Sequence, residues 1–413
     1  MTSEIKQRIE QIRRGEVPEG YVKTALGLAP ANWKRYTFGD IYTERKEPGD
    51  ENLPLLMVSI HSGVSDGEVD AAELPKQVKR IEDKSQYKKA VSGDLVFNMM
   101  RAWQGAIGTV RTTGMVSPAY IVAEPNDKAY PLFMDYYSRT PQMINQIDRQ
   151  SYGVTDFRKR LYWDSFAPIS CALPPIEEQQ KIAAILTTQD RVIELKEKCL
   201  AEKQRQKKYL MQQLLTGKKR LPGFNGAWKT DCLGKLFFER KETNCENIEM
   251  LAITGTQGII PRKELDLKDN SSEDKSKYLR VCVGDIGYNT MRMWQGVSAY
   301  SNYEGIVSPA YTILKPSSSI NAKYFAYLFK MSEIVFLFYR FSQGLVDDTR
   351  NLKYENFKKI KVCYPPDIEE QTAIAEVLSA ADHEIDLLQQ DIEQEKQKKK
   401  ALMQLLLTGI VRV

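Results

Sequence analysis

An internal duplication is the feature that most constrains the fold of this chain. The block from Gly93 to Val122 returns from Gly284 to Ile313, 191 residues later, with 14 of 30 positions identical. The block from Ile176 to Gly217 returns from Ile368 to Gly409 with 19 of 42 positions identical. A third, shorter block ends in the sequence ERKE in both copies. A period of about 190 residues is too long for a solenoid repeat, so the pattern predicts two homologous domains, each followed by the same long helix.

Each copy ends in a segment that has the pattern of a long coiled-coil helix. A Pro-Pro pair precedes each segment and Leu-Thr-Gly follows it, which marks a helix start and a glycine stop. Apolar residues recur every seven positions, the spacing of a coiled-coil seam. The seam residues are Leu186, Ile193 and Leu200 in the first segment and Leu378, Ile385 and Ile392 in the second. About 41 helical residues span about 60 Å. The alternative is an amphipathic helix packed on its own domain; the length and the polar stretches at 201–208 and 393–400 favour a partner helix.

The fold class predicted from these patterns is α+β: two similar mixed α/β domains joined by two long helices that form an antiparallel coiled coil with pseudo-two-fold symmetry. The predicted bounds are 1–173 for the first domain, 174–217 for the first helix, 218–364 for the second domain and 365–413 for the second helix. Within the domains, we expect buried strands at 53–60 and 249–254 and single helices at 130–146 and 321–341.

Composition excludes several classes of protein. Of 413 residues, 42% are hydrophobic, which is enough to form cores, and the net charge of +5 permits a polyanionic partner. Six scattered cysteines form no CxxC pair, and two histidines exclude a histidine-rich metal site. The charged first residues do not resemble a signal peptide, and the longest apolar stretch is too short to cross a membrane. We therefore expect a cytoplasmic protein without membrane contact.

Catalytic motifs are missing from the sequence. It has no P-loop, no dinucleotide-binding fingerprint, no HExxH motif, and no Asn-Pro-Pro-Tyr-like tetrapeptide of amino-methyltransferases. The two Glu-Glu pairs occur where the long helices begin, and helix capping and the helix dipole account for them. A duplicated chain of this kind is expected to be a recognition or scaffold protein that holds no cofactor or metal.

Candidate DNA contacts lie in the repeated block NxMRxWQG. Arginine and glutamine form paired hydrogen bonds with guanine and adenine edges in the major groove, which makes Arg101, Gln104, Arg292 and Gln295 candidates. The alternative is structural: the tryptophans of the block would lie in the core, and its arginines would bind a carboxylate inside the domain.

Two further repeated segments add candidate residues. The Ser-Pro-Ala-Tyr sequences end at Tyr120 and Tyr311 and predict a turn near the same face. A glycine loop with basic residues follows in each copy and is a candidate phosphate contact through Arg158, Lys159 and Arg350. An ordinary surface loop is the alternative. The charged inserts at 47–93 and 242–284 differ between the copies, and they are either part of a nucleic-acid groove or a solvated face.

These motifs together resemble the DNA-specificity subunit of type I restriction–modification systems. The resemblance rests on the repeated Pro-Pro…Glu-Glu-Gln start, the Lys/Gln/Glu-rich helix, the Leu-Met-Gln-x-Leu-Leu-Thr-Gly end and the Lys-Arg-Leu-Pro-Gly-Phe passage at 219–224, and it covers essentially the whole chain. It implies two target-recognition domains that each read one half of a bipartite double-stranded DNA site, with the helix pair fixing the spacer.

The resemblance also implies partners that carry the chemistry. Two methyltransferase subunits would hold S-adenosylmethionine, and two restriction or motor subunits would use ATP and Mg²⁺, while this chain itself is not an enzyme. Two other functions stay open at this point: the specificity subunit of a type IIB-like enzyme, and a coiled-coil scaffold without DNA recognition.

Overall fold

The computed structural model describes residues 3–24, 27–50, 52–60, 63–65, 86–155, 158–245, 248–255, 258–264 and 274–413. The chain divides into two compact units: unit 1 comprises Met1–Lys196 with Asp391–Val413, and unit 2 comprises Glu197–Gln390. This differs from the predicted division into four consecutive segments, because each long helix contributes residues to both units. The two helices are α6 (Ile176–Leu214) and α11 (Ile368–Leu406).

Unit 1 is a mixed α/β unit built on an antiparallel four-stranded sheet with the order β4-β11-β8-β9. Smaller antiparallel pairs join β1 with β2, β3 with β12, β5 with β6, and β7 with β10. Its elements before the first long helix are α1 Ser3–Arg13, β1 Tyr21–Thr24, β2 Gly27–Pro30, β3 Lys34–Thr37, α2 Phe38–Ile41, β4 Tyr42–Glu44, β5 Val58–Ser59, β6 Gly63–Val64, β7 Lys88–Ala90, β8 Leu95–Asn98, β9 Ile107–Thr109, β10 Gly114–Val116, β11 Tyr120–Pro125, α3 Pro131–Tyr137, α4 Pro141–Gln150, α5 Trp163–Phe166 and β12 Ser170–Leu173.

Unit 2 has the corresponding sheet, with the order β14-β21-β18-β19, and the pairs β13 with β22, β15 with β16, and β17 with β20. Its elements between the two long helices are β13 Lys229–Cys232, α7 Leu233–Leu236, β14 Phe237–Glu239, β15 Leu251–Ile253, β16 Ile259–Pro261, β17 Leu279–Val281, β18 Ile286–Asn289, β19 Ser298–Tyr300, β20 Gly305–Val307, β21 Tyr311–Pro316, α8 Ala322–Leu328, α9 Ser332–Phe341, α10 Tyr354–Phe357 and β22 Lys361–Tyr364.

Each predicted single helix is in fact a pair of helices. In unit 1 the break falls before Pro141, where the Thr140 hydroxyl accepts a hydrogen bond from the backbone of Met143 and caps α4. In unit 2 the same break precedes Ser332, although Met331 provides no side-chain cap. The predicted strands at 53–60 and 249–254 are also shorter. The strands are Val58–Ser59 and Leu251–Ile253, while Leu55 and Met250 form isolated β-bridges.

A buried ion pair fixes the same corner of the sheet in both units. In unit 1 the Arg45 guanidinium donates to both carboxylate oxygens of Asp94, at 2.8 and 3.2 Å. In unit 2 Arg240 donates to Asp285 at 2.7 and 3.1 Å. Both aspartates are 2% exposed, and a buried carboxylate needs such a partner to remain ionised at low cost. The repeated ERKE and Gly-Asp sequences are therefore explained by one internal contact.

The start of α6 packs into the core of unit 1 through a cluster that contains Ile182, Leu186, Phe133 and the end of α11 at Leu406. Farther along, the two helix segments run antiparallel: Lys196 pairs with Asp391 at 2.7 Å, and Asp190 pairs with Lys399 at 2.5 Å. Among the unit's seam residues, Leu186 is fully buried, and Ile193 and Ile392 are 8% and 5% exposed. Both sequence interpretations of the helix hold here, each for a different stretch.

Unit 2 repeats this arrangement with its own segments of the two helices. Leu378 and Leu214 lie in its main apolar cluster, Lys203 pairs with Glu384 at 2.7 Å, and Lys207 pairs with Asp382. Of its seam residues, Leu378 is fully buried and Ile385 is 8% exposed, whereas Leu200 is only partly buried.

The repeated Glu-Glu-Gln sequence docks each helix start on its unit. The side chain of Gln179 accepts from the Tyr130 amide and donates to the Pro174 carbonyl, and Gln371 makes the matching bonds to Asn321 and Pro365. The preceding glutamates are buried.

Each of these buried glutamates accepts from the Nε and Nη2 groups of an arginine that follows a helix end. Arg412 donates to Glu178 at 2.5 and 2.6 Å, and Arg220 donates to Glu370 at 2.5 and 2.7 Å. We call these two contacts the arginine clasps.

Candidate nucleic-acid interface

The NxMRxWQG block forms a compact turn at the end of a central sheet strand. In unit 1 the side-chain oxygen of Asn98 accepts from the Met100 amide at 2.8 Å, and the indole of Trp103 donates to the Met100 carbonyl at 3.1 Å. Gly105 closes the 3-10 helix Ala102–Gln104 with a φ of +104°, a left-handed conformation that favours glycine. The asparagine, tryptophan and glycine of the block are thus used to build the turn.

The same turn recurs in unit 2 with closely similar geometry. Asn289 accepts from Met291 at 3.0 Å, Trp294 donates to the Met291 carbonyl at 2.9 Å, and Gly296 has a φ of +79°. In both units the side chains left exposed by the turn are the methionine, the arginine and the glutamine. They are Met100, Arg101, Gln104, Met291, Arg292 and Gln295.

The exposed arginines are free to meet a ligand. Among the described residues, neither the Arg101 nor the Arg292 guanidinium forms a hydrogen bond or an ion pair with another side chain. The arginines that bind carboxylates inside the domains are instead Arg45 and Arg240. Trp103 and Trp294 are partly buried, and Trp103 packs against the main apolar cluster of unit 1, so the expectation that both lie in the core is met only at the edge of the core and only for Trp103.

The Ser-Pro-Ala-Tyr segment lies beside this turn. Tyr120 donates its amide to the Ser117 carbonyl at 3.0 Å, which closes a tight turn, and its Cα is paired with that of Asn98 in the ladder between β8 and β11. Tyr311 and Asn289 are paired in the same way. Both tyrosine rings are partly buried against a small apolar cluster, which leaves them at the edge of the candidate interface.

The glycine loop is the third segment that meets at this end of the sheet. At its base, Tyr152 and Arg160 exchange backbone hydrogen bonds in unit 1, and Gln343 and Asn351 do so in unit 2. The following residue, Leu161 or Leu352, donates its amide to the strand end at Met99 or Thr290, at 2.9 and 2.8 Å. Three segments that are distant in sequence thus form one surface in each unit.

Two of the predicted phosphate contacts use their charge inside this surface. Lys159 binds Asp148 at 2.7 Å and lies 4.9 Å above the ring of Trp103. The Arg350 guanidinium donates to Asp347 and to the hydroxyl of Tyr339, and it stacks at 4.1 Å on the ring of Tyr339. Arg158 is exposed. Lys159 and Arg350 thus shape the loop, and Arg158 keeps its charge on the surface.

These observations agree with comparisons to known proteins. The family described as Type I restriction modification DNA specificity domain matches residues 72–205 and 234–397, once in each copy of the repeat. The chain belongs to this family. The chain thus has two mixed α/β target-recognition domains, one for each match, together with the coiled-coil helices.

Two relatives from Methanocaldococcus jannaschii are similar over most of the chain. One is named as the MjaX specificity subunit of a type I restriction enzyme; it is 23% identical, over 96% of this chain and 97% of its own length. The other is the type I restriction enzyme MjaVIII specificity subunit, 25% identical over 80% of this chain and 83% of its own.

Solved structures share the fold at low sequence identity. The type I restriction–modification S subunit from M. genitalium superposes with a TM-score of 0.56 at 12% identity, covering 91% of this chain and 96% of that one. A chain from a study of complex assembly and conformational transition of the type I system gives a TM-score of 0.52 at 17% identity, covering 93% and 99%.

The sequence patterns do not indicate one further pair of candidate DNA contacts in this specificity chain. Arg149 and Arg340 lie in the last turns of α4 and α9, 191 residues apart, and both are exposed. These helices pack against the 3-10 turns that carry Gln104 and Gln295. The signal was the matching arginine at the repeat offset, but few neighbouring positions are identical.

Parts of the predicted interface lie outside the described residues. Of the basic residues in the two inserts, Lys76, Lys79, Arg80, Lys84 and Lys268 fall there. In the part of the chain that the structure describes, no helix has the length and apolar character needed to cross a membrane, and no group of three or more His, Cys, Asp or Glu side chains is arranged to hold a metal ion.

Proposed function

We propose that this chain is the DNA-reading subunit of a type I restriction–modification complex in which each unit recognises one half of a bipartite site. The observation that carries the proposal is the turn with an exposed, unpaired arginine and an exposed glutamine, built twice from the same residues. Arginine and glutamine read guanine and adenine edges in the major groove, and two such turns in one chain suit a site with two halves.

Base reading in this proposal belongs to Arg101 and Gln104 in unit 1 and to Arg292 and Gln295 in unit 2. Arg158, Arg149 and Arg340 then contact phosphates, which position the domain without adding sequence information. Tyr120 and Tyr311 flank the reading surface, and Lys159 and Arg350 hold its loops in shape.

The two long helices are proposed to set the spacer between the half-sites. Each is an uninterrupted helix of 39 residues, which corresponds to about 58 Å at 1.5 Å per residue. The seam and the ion pairs between antiparallel segments in each unit make these helices stiff, and stiffness is what a fixed spacer length requires.

Catalysis is proposed to reside on partner subunits. Two methyltransferase subunits would bring S-adenosylmethionine, and two restriction or motor subunits would bring ATP and Mg²⁺. The support comes from the sequence, which has neither a P-loop nor a methyltransferase tetrapeptide, and from the specificity family itself. This chain would itself be non-catalytic and act in the cytoplasm.

The decisive experiment maps genome-wide adenine methylation in cells with and without this chain. We expect a bipartite motif that disappears with the chain. Arg292→Ala should then relax or abolish one half of the motif, because loss of a paired arginine–guanine contact costs about 1–3 kcal/mol of discrimination, and Arg101→Ala should do the same to the other half. Arg35→Ala, an exposed arginine of β3 outside the inserts and the repeated turns, is the matched control and should leave both halves intact. Absence of any motif would reject DNA reading and favour a scaffold.

A domain-level exchange tests which segment selects the sequence. Replacing residues 47–93 by 242–284 is expected to change the half-site read by unit 1, because these inserts differ while the surrounding blocks repeat. An unchanged motif would assign selection to the turn residues alone. In binding assays with the purified complex, affinity should fall steeply between low and moderate salt if several phosphates are contacted.

A further inference from the structure

The glycine loop of each unit carries an aliphatic side chain at its tip that faces solvent. In unit 2 Leu345 is 100% exposed and Val346 is 59% exposed. In unit 1 the residue at the same repeat position, Val154, is 91% exposed. Single exposed hydrophobic residues are common on protein surfaces, but the recurrence of this one in two domains that differ elsewhere calls for a shared role.

The loop of unit 2 is built to hold its tip outward. Gly344 has a φ of +139°, and a Cβ at this position would lie 2.7 Å from the carbonyl group of Thr349, so only glycine allows the chain to close so tightly. Beyond the tip, the Thr349 amide donates to the Val346 carbonyl at 3.0 Å, and Arg350 holds Asp347 at 2.8 Å. The tight turn at Gly344 and these hydrogen bonds therefore fix the loop in a conformation that exposes the Leu345 side chain to solvent.

The loop of unit 1 is closed at the same point. A Cβ on Gly153 would lie 2.4 Å from the carbonyl oxygen of Arg158, so this glycine is also required by close approach of the backbone. Tyr152 and Tyr162, on either side of the loop, pack their rings at 5.9 Å. Both tips follow a structurally required glycine by one residue.

The loop stands beside side chains that suit the major groove. Its base is hydrogen-bonded to the strand end that leads into the turn of Arg292 and Gln295. In the major groove thymine alone among the four bases presents a methyl group, and apolar side chains recognise it by contact. An aliphatic tip cannot pair with a phosphate, so its partner must be an apolar part of the ligand.

We propose that Leu345, together with Val154 in unit 1, contacts the 5-methyl group of a thymine in the half-site that its unit reads. The inference rests on the proposed function and adds to it a specificity contact made without hydrogen bonds. It assigns one thymine in each half-site to an aliphatic side chain.

The test replaces thymine by deoxyuridine, which differs only by the absent methyl group. The duplexes carry the motif identified by methylation mapping, and each of its thymines is replaced in turn. They are titrated with the complex of this chain and its methyltransferase subunits. We expect one replacement in the half-site of unit 2 to weaken binding about fourfold, the equivalent of one buried methyl-sized group. With Leu345→Ala, binding to the unmodified duplex should weaken by a similar factor, and the same replacement should have no further effect.

Two controls and two contrary outcomes make the test decisive. Leu387→Ala removes another exposed leucine side chain, 51% exposed, on helix α11 within unit 2, and should leave the sensitivity to deoxyuridine unchanged. Val154→Ala should remove the sensitivity in the other half-site only. If wild type and Leu345→Ala lose equal affinity on every replaced duplex, the methyl contact is wrong.

A wedge inserted between base steps is the other use of an exposed leucine in DNA binding. It would show as a weaker Leu345→Ala complex that is indifferent to every thymine methyl, with a change in 2-aminopurine fluorescence at one base step, and it would overturn the proposal. Failure of the proposed function is distinct, since then no motif would be found and no duplex would bind in a sequence-dependent way.

Discussion

The corresponding helices α3 and α8 meet the sheet in different ways in the two units. In unit 1 Asp135 is 4% exposed and accepts hydrogen bonds from the Thr109 amide at 2.9 Å and from Arg139 at 3.0 Å. Arg111 lies 3.6 Å from the same carboxylate. In unit 2 the position of Asp135 is taken by Ala326, and a cleft of about 470 Å³ opens beside Lys330, whose ammonium donates to the carbonyls of Gly296 and Ser298.

The strand facing these helices differs in step with them. In unit 1 the residue is Gly108, where an added Cβ would lie 2.9 Å from Asp135. In unit 2 it is Ala299, and Ala326 leaves room for that methyl group. By contrast, the buried arginine–aspartate pairs and the arginine clasps are the same in both units. The comparison shows that the buried arginine–aspartate pairs and the arginine clasps are repeated in the two units. The side chains that pack between helix and sheet differ, and they differ as matched pairs.

The largest expected effect comes from the buried arginine–aspartate pairs that both units share. Arg45→Ala and Arg240→Ala each leave a buried aspartate without its partner, and each should lower the free energy of unfolding by about 3 kcal/mol. Denaturant unfolding of the two variants measures this.

The comparison predicts nearly equal losses for these two variants. Removing both partners, as in Arg45→Ala with Asp94→Ala, should recover part of the loss because no charge then stays buried alone. If only one of the two variants lowers the free energy of unfolding, the two arginine–aspartate pairs do not contribute equally to stability.

The matched pair of helix and strand gives the next largest effect. Asp135→Ala removes the acceptor for the Thr109 amide and the Arg139 guanidinium, together with the ion-pair partner of Arg111, and should cost about 2 kcal/mol. Gly108→Ala should destabilise wild type by steric conflict with Asp135, and this added cost should shrink in the Asp135→Ala background by about 1 kcal/mol. Unfolding of the four variants in a double-mutant cycle measures the coupling.

The reverse exchange in unit 2 is the control. Ala326→Asp should be destabilising, and Ala299→Gly should relieve part of the cost. Strict additivity in both units would contradict the idea that the two positions changed together.

The smallest effect concerns a polar contact between the helix segments of unit 1. Hydrogen bonds from Gln189, Lys196 and Lys398 lower the pKa of Glu395 to about 2. Because this value lies below the ordinary 4.5, the stabilisation is complete above pH 4.5 and is lost as the pH falls towards 2. Glu395→Gln should therefore flatten the fall of the unfolding midpoint across this range.

Glu376→Gln, on the same helix, is the matched control, since Glu376 forms no ion pair among the described residues. A pH profile of Glu395→Gln that equals wild type would remove this contact from the account of how the helix segments of unit 1 are held.

The duplication in the sequence was sufficient to predict paired mixed domains and long helices, because repeated blocks coincide with repeated elements. The sequence pattern placed β5 and β15 inside the predicted strands at 53–60 and 249–254, although each strand is shorter than predicted. It failed for the helix pair at 130–150, since only Thr140 and Pro141 mark the break and the second copy breaks without either residue.

The candidate site was predicted in part. Arg101 and Arg292 could be chosen from residue type, but no local pattern shows that Arg45 meets Asp94, 49 positions away. The same limit hid the internal contacts of Lys159 and Arg350, which depend on the way separate segments fold together.

The arginine clasp at Glu178 has a consequence for the order of events during protein synthesis. Unit 1 includes residues 391–413, and Arg412 and Leu406 complete its clasp and its core. Unit 2 ends at residue 390. All parts of unit 2 have therefore left the ribosome before unit 1 is complete, although translation of unit 1 begins first. Until residues 391–413 emerge, the part of the unit 1 core that binds the end of α11 stays uncovered.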